Sequence, residues 1–212
     1  MRTDDLIKAL DADARSRAMP QAAAWWVALG AAVLIAATVF MLTIGPRPDM
    51  ASAMHTMRFP AKFTYTVALA VTAFVFIRAL SVPGAATRRL ALAMWVAPIL
   101  VAVAVILELL AVPSADWGRR LIGTNMYICM TFIPLIGLGP LAVFLMALRH
   151  GAPPRPVLSG AVAGLLAGGV AATFYAAHCF DDSPLFVATW YTIAIAFLTA
   201  LGALGGRLFV RW

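Results

Sequence analysis

The chain has 212 residues, of which 63% are hydrophobic and only 12% are charged, and its formal net charge is +7. Soluble domains are typically about 45–50% apolar and about 25% charged, so this composition excludes an ordinary soluble globular protein. The basic residues stand in short stretches between apolar runs, as in membrane proteins, which argues against direct binding of nucleic acid.

The first twenty residues form a short amphipathic segment ahead of the first apolar run. Thr3 is a favourable helix N-cap, and Asp4 and Asp5 complement the positive end of a helix dipole. A narrow apolar face is formed by Leu6, Ile7, Leu10 and Ala14. So short a helix is marginal alone in water. Anionic lipid would repel its acidic side chains, so a groove on a partner protein is favoured over the membrane surface.

A cleaved signal peptide is not expected at this end of the chain. The first twenty residues mix acidic with basic side chains, and the apolar run that follows exceeds the core of about 7–15 residues found in signal sequences. The segment is therefore expected to remain on the mature protein as a cytoplasmic extension.

Six apolar segments are long enough to cross a membrane as helices, since a span needs about 20 residues. They run roughly over Gln21–Ile44, Phe63–Leu80, Leu90–Val112, Met126–Leu148, Val157–Ala177 and Leu185–Leu208. Clusters of proline, glycine and aspartate separate them, as expected for loops. The sequence therefore predicts an all-α bundle of six transmembrane helices in residues 21–212, preceded by the cytoplasmic segment 1–20.

The distribution of Lys and Arg predicts the orientation of this bundle. Eleven basic residues lie on the side of the two termini and the second and fourth loops, and five lie on the opposite side. Cytoplasmic loops carry the excess of basic residues. We therefore expect both termini in the cytoplasm and the chain in a bacterial inner membrane.

Small residues and prolines mark the fourth and fifth predicted helices. Gly160, Gly164 and Gly168 recur every four residues, a pattern that favours close packing of helix backbones in lipid. Pro134 and Pro140 lie inside the fourth helix and predict a kink or local unwinding there.

Glu108 is the only acidic residue inside a predicted span, about one turn from its outer end. A structural interpretation is that it reaches interfacial water or pairs with Arg119 or Arg120, and the alternative is a proton or cation ligand. The sequence contains no phosphate-binding loop, zinc-protease motif or nucleophile elbow, so no enzymatic activity is expected. The competing functional class is a small transporter or metal-handling protein that uses Glu108 with the cysteines.

The two cysteines, Cys129 near the start of the fourth helix and Cys179 just past the fifth, both fall at the predicted outer face. In a periplasm, disulfides form and persist, and the two residues could come within bonding range. They could equally be buried structural residues, a thiol switch, or a soft-metal site with His178 or His55 as a further ligand. Two thiolates and one histidine are too few for a closed zinc site, so no resident cofactor is expected.

These features together resemble the NrsF-type proteins, negative regulators of sigma F, which are membrane anti-sigma factors of proteobacteria. The resemblance rests on the pattern from Thr3 to Leu10, the six spans and one outward cysteine on each of the fourth and fifth helices, and it extends over essentially the whole chain. It implies that the segment holds an extracytoplasmic-function (ECF) sigma factor through Thr3, Asp4, Asp5, Leu6, Ile7 and Leu10.

The resemblance also implies that Cys129 and Cys179 sense heavy-metal or oxidative stress. A signal there would shift the fourth helix at its proline break against the fifth and so lower the affinity for the sigma factor. Besides the sigma factor, membrane lipid is an expected partner, and a homo-oligomer is left open.

Overall fold

The structure is a computed structural model that describes residues 3–5, 7, 20–82, 84–151 and 153–210. Within these residues the regular elements are helices, and no strand occurs. Six of the helices are long and apolar enough to cross a membrane: α1 Gln21–Thr43, α2 Arg58–Leu80, α3 Arg88–Ala111, α4 Met126–Arg149, α5 Pro156–Ala176 and α6 Pro184–Phe209. The predicted all-α, six-span membrane bundle is confirmed.

Helix α2 is longer than the sequence predicted, because it begins at Arg58 rather than at Phe63. Pro60 is tolerated there since the first turn of a helix needs no backbone donor. Lys62 continues the helix because its ammonium group has polar partners inside the protein. The bounds of the other five spans agree with the prediction to within two residues.

Helix α5 lies at the centre of the bundle and is buried along most of its length. It packs against α2, α4 and α6, while α1 packs mainly on α4 and α3 mainly on α2. The glycines of α5 let its backbone touch that of α6. A methyl group added at Gly160 would lie 2.2 Å from the carbonyl oxygen of Gly202, and one at Gly164 would lie 2.2 Å from that of Leu198. The close packing predicted for this stripe is confirmed.

Of the predicted kink or local unwinding in α4, the local unwinding is wrong, because the helix is continuous through Pro134 and Pro140. A proline inside a transmembrane helix is tolerated where neighbouring helices and small local adjustments satisfy the freed carbonyl groups. The irregular stretches lie elsewhere. Helix α6 contains a π-helical turn at Val187–Tyr191, and α3 is interrupted at Met94 and Trp95.

The loops segregate to two ends of the bundle. At one end, here called the outer end, the loops after α1, α3 and α5 meet: Arg47 N donates to Ala177 O at 3.0 Å, and Thr124 N donates to the Asp181 carboxylate at 2.9 Å. At the opposite, inner end lie the start of α1, the end of α6 and the other two loops, where Gln21 Nε2 donates to Ser81 O at 2.8 Å.

Candidate functional site

The cysteine pair lies at the outer end, in the core between α4, α5 and α6. Cys129 is in the first turn of α4, and Cys179 is three residues beyond the end of α5. Both side chains are fully buried free thiols of one buried cluster, and Tyr175 and Tyr191 each interact with both of them. The two predicted sensing residues are therefore neighbours, although they are 50 positions apart in the chain.

Two tyrosines flank the thiols. Tyr175 on α5 and Tyr191 on α6 face each other with ring centroids 5.6 Å apart, and both interact with the cysteines. The Tyr191 hydroxyl is buried, and the Cys179 thiol is a polar neighbour of it. Tyr191 ends the π-helical turn of α6, a type of irregularity that is frequent at functional sites.

Burial makes the thiol of Cys179 unreactive. Removal from water raises its pKa, and the positive charge of Lys62 offsets this only in part. The thiolate is the form that attacks oxidants and binds metals. In this conformation the thiol is therefore protonated at neutral pH and shielded from reagents in water.

Three charged side chains, two cationic and one acidic, lie around the backbone carbonyl of Cys179. Lys62 Nζ donates to the Cys179 carbonyl oxygen at 2.8 Å and pairs with the Asp182 carboxylate, and only 1% of the lysine is exposed. Arg47 Nη1 donates to the same carbonyl at 3.3 Å and contacts Asp182 at 3.3 Å. A buried charge is tolerated only when it is paired and hydrogen-bonded, so these contacts fix the α5–α6 loop to α2 and to the α1–α2 loop.

Arg47 also orders its own loop. Its Nη2 lies 2.6 Å from Asp49 Oδ2, and its guanidinium lies over the ring of Phe180 at 4.6 Å from the centroid. The hydrogen bonds from Arg47 hold the pKa of Asp49 below its usual value, so this carboxylate stays ionised in mild acid.

Asp181 connects the start of α4, where Cys129 lies, to the α5–α6 loop that contains Cys179. Its carboxylate accepts hydrogen bonds from Thr124 N at 2.9 Å and from Asn125 N at 2.8 Å, just before α4 begins. Asn125 O in turn accepts from Cys129 N at 2.8 Å. The segment around Cys179 and the first turn of α4 are thus joined by hydrogen bonds as well as by packing.

Glu108 is paired, as the structural interpretation of the sequence predicted. Its Oε1 lies 3.0 Å from Arg120 Nη1 and 3.7 Å from Arg58 Nη2. Its Oε2 accepts from Ser183 Oγ at 2.7 Å and from Leu185 N at 3.2 Å. Oε2 therefore ties α3 to the start of α6, and Oε1 ties it to the segment before α4 and to the start of α2.

The described residues do not assemble the predicted metal ligands. Among them no group of three or more His, Cys, Asp and Glu side chains is arranged to hold a metal ion. His178 Nδ1 instead lies 2.9 Å from the carbonyl oxygen of Gly45. The combination of Cys129, Cys179 and His178 is therefore not formed here, because the histidine is used to join two loops.

The predicted partner-binding segment is described at four positions. Thr3, Asp4, Asp5 and Ile7 are helical and exposed, and 58% of Ile7 is accessible. Leu6 and Leu10 lie outside the described residues.

The sequence interpretation did not single out Lys62, Arg47, Asp181 and Asp182 as site residues. The one signal was the position of Lys62 directly before an apolar run, where a charge is costly unless it is paired.

Comparisons with known proteins agree along the whole chain. The family described as "Negative regulator of sigma F" (NrsF) matches residues 9–212. The anti-sigma-F factor NrsF of Caulobacter vibrioides is 36% identical over 221 aligned residues, which cover 100% of both chains. The probable anti-sigma-F factor NrsF of Azospira oryzae is 29% identical, again over 100% of both chains. No solved structure matches the chain.

Proposed function

The chain belongs to the NrsF family of negative regulators of sigma F, and on this premise we propose that it is an anti-sigma factor of the bacterial inner membrane that sequesters an ECF-type sigma factor. The observation that carries the proposal is the full-length similarity to relatives named as anti-sigma-F factors. Proteins of this kind act by binding and release and catalyse no reaction.

The proposed contact with the sigma factor is the N-terminal segment. Asp4, Asp5 and Ile7 are exposed on a helix, which supports binding in a groove where an apolar side chain is flanked by acidic ones. Thr3, Leu6 and Leu10 complete the proposed contact surface. The excess of basic residues at the inner end supports a cytoplasmic position for this segment, where a sigma factor is available.

The proposed sensor is the pair Cys129 and Cys179. Their burial supports a signal that must open the outer end before it can react, such as a soft metal ion or a thiol oxidant that takes two electrons and two protons from the pair. Either product holds the two sulfurs in a new geometry, which the loop around Cys179 must follow. Because Lys62 and Arg47 both donate to the Cys179 carbonyl, such a movement would also disturb α2 and the α1–α2 loop.

The proposed path to the inner end runs along α5. The backbone contacts at Gly160 and Gly164 leave little freedom for α5 and α6 to slide independently, so a displacement at one end is carried to the other. A tenfold loss of affinity for the sigma factor requires only about 1.4 kcal/mol of coupling, which is within the usual range for allostery.

The test is capture of the sigma factor by the full-length protein in detergent, with bound proteins identified by mass spectrometry. Ile7→Asp should abolish capture, because it puts a charge into the apolar contact. Met57→Asp is the matched control, since it also replaces an exposed apolar side chain (91% accessible) with aspartate, but at the outer end. Capture that survives Ile7→Asp and deletion of residues 1–14 would overturn the proposed contact, and absence of any sigma factor from the wild-type sample would overturn the function.

The sensing half has its own experiment. Cells that carry Cys129→Ser together with Cys179→Ser should repress transcription from a sigma-dependent promoter as the wild type does. They should fail to induce it when cadmium or a thiol oxidant is added. A normal induction in this double variant would show that the signal is detected elsewhere.

A further inference from the structure

A deep groove opens between α3 and α6 on the side of the bundle. It has a volume of about 750 Å³, and α2 and α5 form its floor. Its walls are almost wholly apolar, with Leu69, Val101, Val105, Ala196 and Ala200 among the lining side chains. The groove extends from Val187, near the outer end of α6, to Ala203, near its inner end.

The groove exists because α3 is attached to α6 mainly at the outer end. Glu108 on α3 binds Ser183 and Leu185 N at the start of α6, and further contacts follow along the first turns of α6. Below them the facing residues are small, including Ala102 on α3 and Ala196 on α6, and the two helices do not close on each other. Only Ala97 and Glu108 of the Val96–Ala111 part of α3 are buried. The opening therefore faces the lipid phase.

Positive charge lies at the inner ends of α3 and α6, the two helices that flank the groove. Helix α3 begins there with Arg88 and Arg89, both exposed, and α6 carries Arg207 in its last turn. The acidic residues beyond position 20 all belong to the outer end: Asp49, Glu108, Asp116, Asp181 and Asp182. Within the described part of residues 20–210, the inner end of the bundle thus has cations and no carboxylate, and Arg88 begins α3 nine residues before Ala97, which lines the groove. Basic pockets between transmembrane helices on the cytoplasmic side bind anionic headgroups.

We propose that this groove binds one anionic phospholipid, with an acyl chain along Ala196 and Ala200 and the phosphate group beside Arg88 and Arg89. The apolar walls and the sideways opening fit a hydrocarbon chain, and the segregated charge selects an anionic headgroup at the inner end. The lipid fills the space between α3 and α6, and its contacts with both helices hold α3 to the bundle. This inference is independent of the proposed binding of a sigma factor.

The test is native mass spectrometry of the purified full-length protein after delipidation and addition of equal amounts of phosphatidylglycerol and phosphatidylcholine. The wild type should retain one phosphatidylglycerol in preference to phosphatidylcholine. Ala196→Phe places a ring in the groove and should remove most of the retained lipid. Ile193→Phe is the control, because position 193 is on the same helix and exposed but does not line the groove.

The headgroup is tested with Arg88→Gln combined with Arg89→Gln. The preference for phosphatidylglycerol should fall roughly thirtyfold, because each arginine near the membrane surface contributes about 1 kcal/mol to the binding of anionic lipid. The control is Arg149→Gln with Arg155→Gln, which removes two charges from the same end away from the groove. Circular dichroism checks that each variant is folded, and Ala200→Leu replaces Ala196→Phe if that variant is not.

Three results of the lipid measurements would each overturn the proposal. They are equal retention of the two lipids by the wild type, equal retention by folded Ala196→Phe and Ile193→Phe, and an equal effect of the two arginine pairs. A wild-type dimer that dissociates in Ala196→Phe would also overturn it, because the groove would then hold a second copy of the chain.

Discussion

At the scale of single residues, the outer end depends on a lysine buried in a transmembrane helix. Lys62 lies in the second turn of α2, where an unpaired ammonium group would be expelled. The Cys179 carbonyl and the Asp182 carboxylate supply its contacts, and Arg47 contacts the same two groups. Each of these groups thus compensates for the burial of another, and the cysteine loop cannot move without changing all of them.

Replacement of Lys62 by methionine should therefore destabilise the protein while keeping the length of the side chain. We expect a loss of roughly 1.5–3 kcal/mol, the range for hydrogen bonds that involve a charged group. Arg47 continues to bind Asp182, which keeps the loss below that for a fully isolated buried charge. Unfolding of the purified protein in increasing SDS measures the change.

Arg119→Gln is the control, since Arg119 is exposed at the same end and its pair with Asp116 should contribute little. Equal stability of Lys62→Met and Arg119→Gln would show that the buried contacts do not hold the loop.

The buried thiols should also react slowly in the folded protein. Because burial raises the pKa of Cys179, its thiolate fraction near pH 8 is smaller than that of a free cysteine. Alkylation by iodoacetamide should accordingly continue to increase above about pH 8.5, where a free thiol is already half ionised. Mass spectrometry after timed quenching gives the rate, and the same protein unfolded in SDS is the control. Equal rates in the two states would contradict the burial of the pair.

At the scale of helices, the α5–α6 interface is the tightest contact in the described bundle. Gly160 and Gly164 let the backbone of α5 approach that of α6, and Gly202 on α6 allows the same close approach from the other side. Without a hydrophobic driving force between helices in lipid, such packing supplies much of their association. Any side chain at these positions must push the helices apart.

Gly164→Ala should thus weaken the fold even though alanine is the better helix former. The added methyl group would meet Leu198 O at 2.2 Å and leave the backbone nowhere to move, so we expect a loss of about 1–3 kcal/mol. Gly30→Ala is the matched control in α1, where nothing lies within 4 Å, and it should be neutral or stabilising by up to about 1 kcal/mol. Unfolding in SDS compares the two, and a neutral Gly164→Ala would refute the tight interface.

At the scale of the whole molecule, charge is separated between the two ends. The outer end contains five basic and five acidic residues, most of them paired, so the net charge of +7 comes from the residues that the sequence predicts on the opposite side. Basic residues near the ends of spans resist translocation. The count of five basic residues at the outer end against eleven on the opposite side therefore favours the inner end as the cytoplasmic one.

Cysteine labelling tests the predicted orientation. Ser52→Cys, in an exposed short helix of the outer end, should react in intact cells with a membrane-impermeant maleimide. Ala86→Cys, exposed in the α2–α3 loop, should react only after the cells are made permeable. The native cysteines are buried and give a low background. The reverse pattern would place the termini outside.

The sequence by itself determined the number of spans, their bounds to within two residues in five of six cases, and the glycine packing of α5. These properties are local: hydrophobic length decides whether a helix can span, and small residues at four-residue spacing lie on one face whatever the partner. Its structural interpretation of Glu108, as a group that reaches interfacial water or pairs with Arg119 or Arg120, included the observed pair with Arg120, because the two residues are close in the chain.

Only the tertiary structure decided how distant segments combine at the outer end. Lys62 is more than 100 positions from Cys179 and Asp182 in the chain, and it can continue α2 because the α5–α6 loop supplies partners for its ammonium group. The groove beside α3 and the use of His178 as a link between loops likewise depend on where helices diverge or meet. Such features follow from the packing of several elements at once, which no local pattern of residues contains.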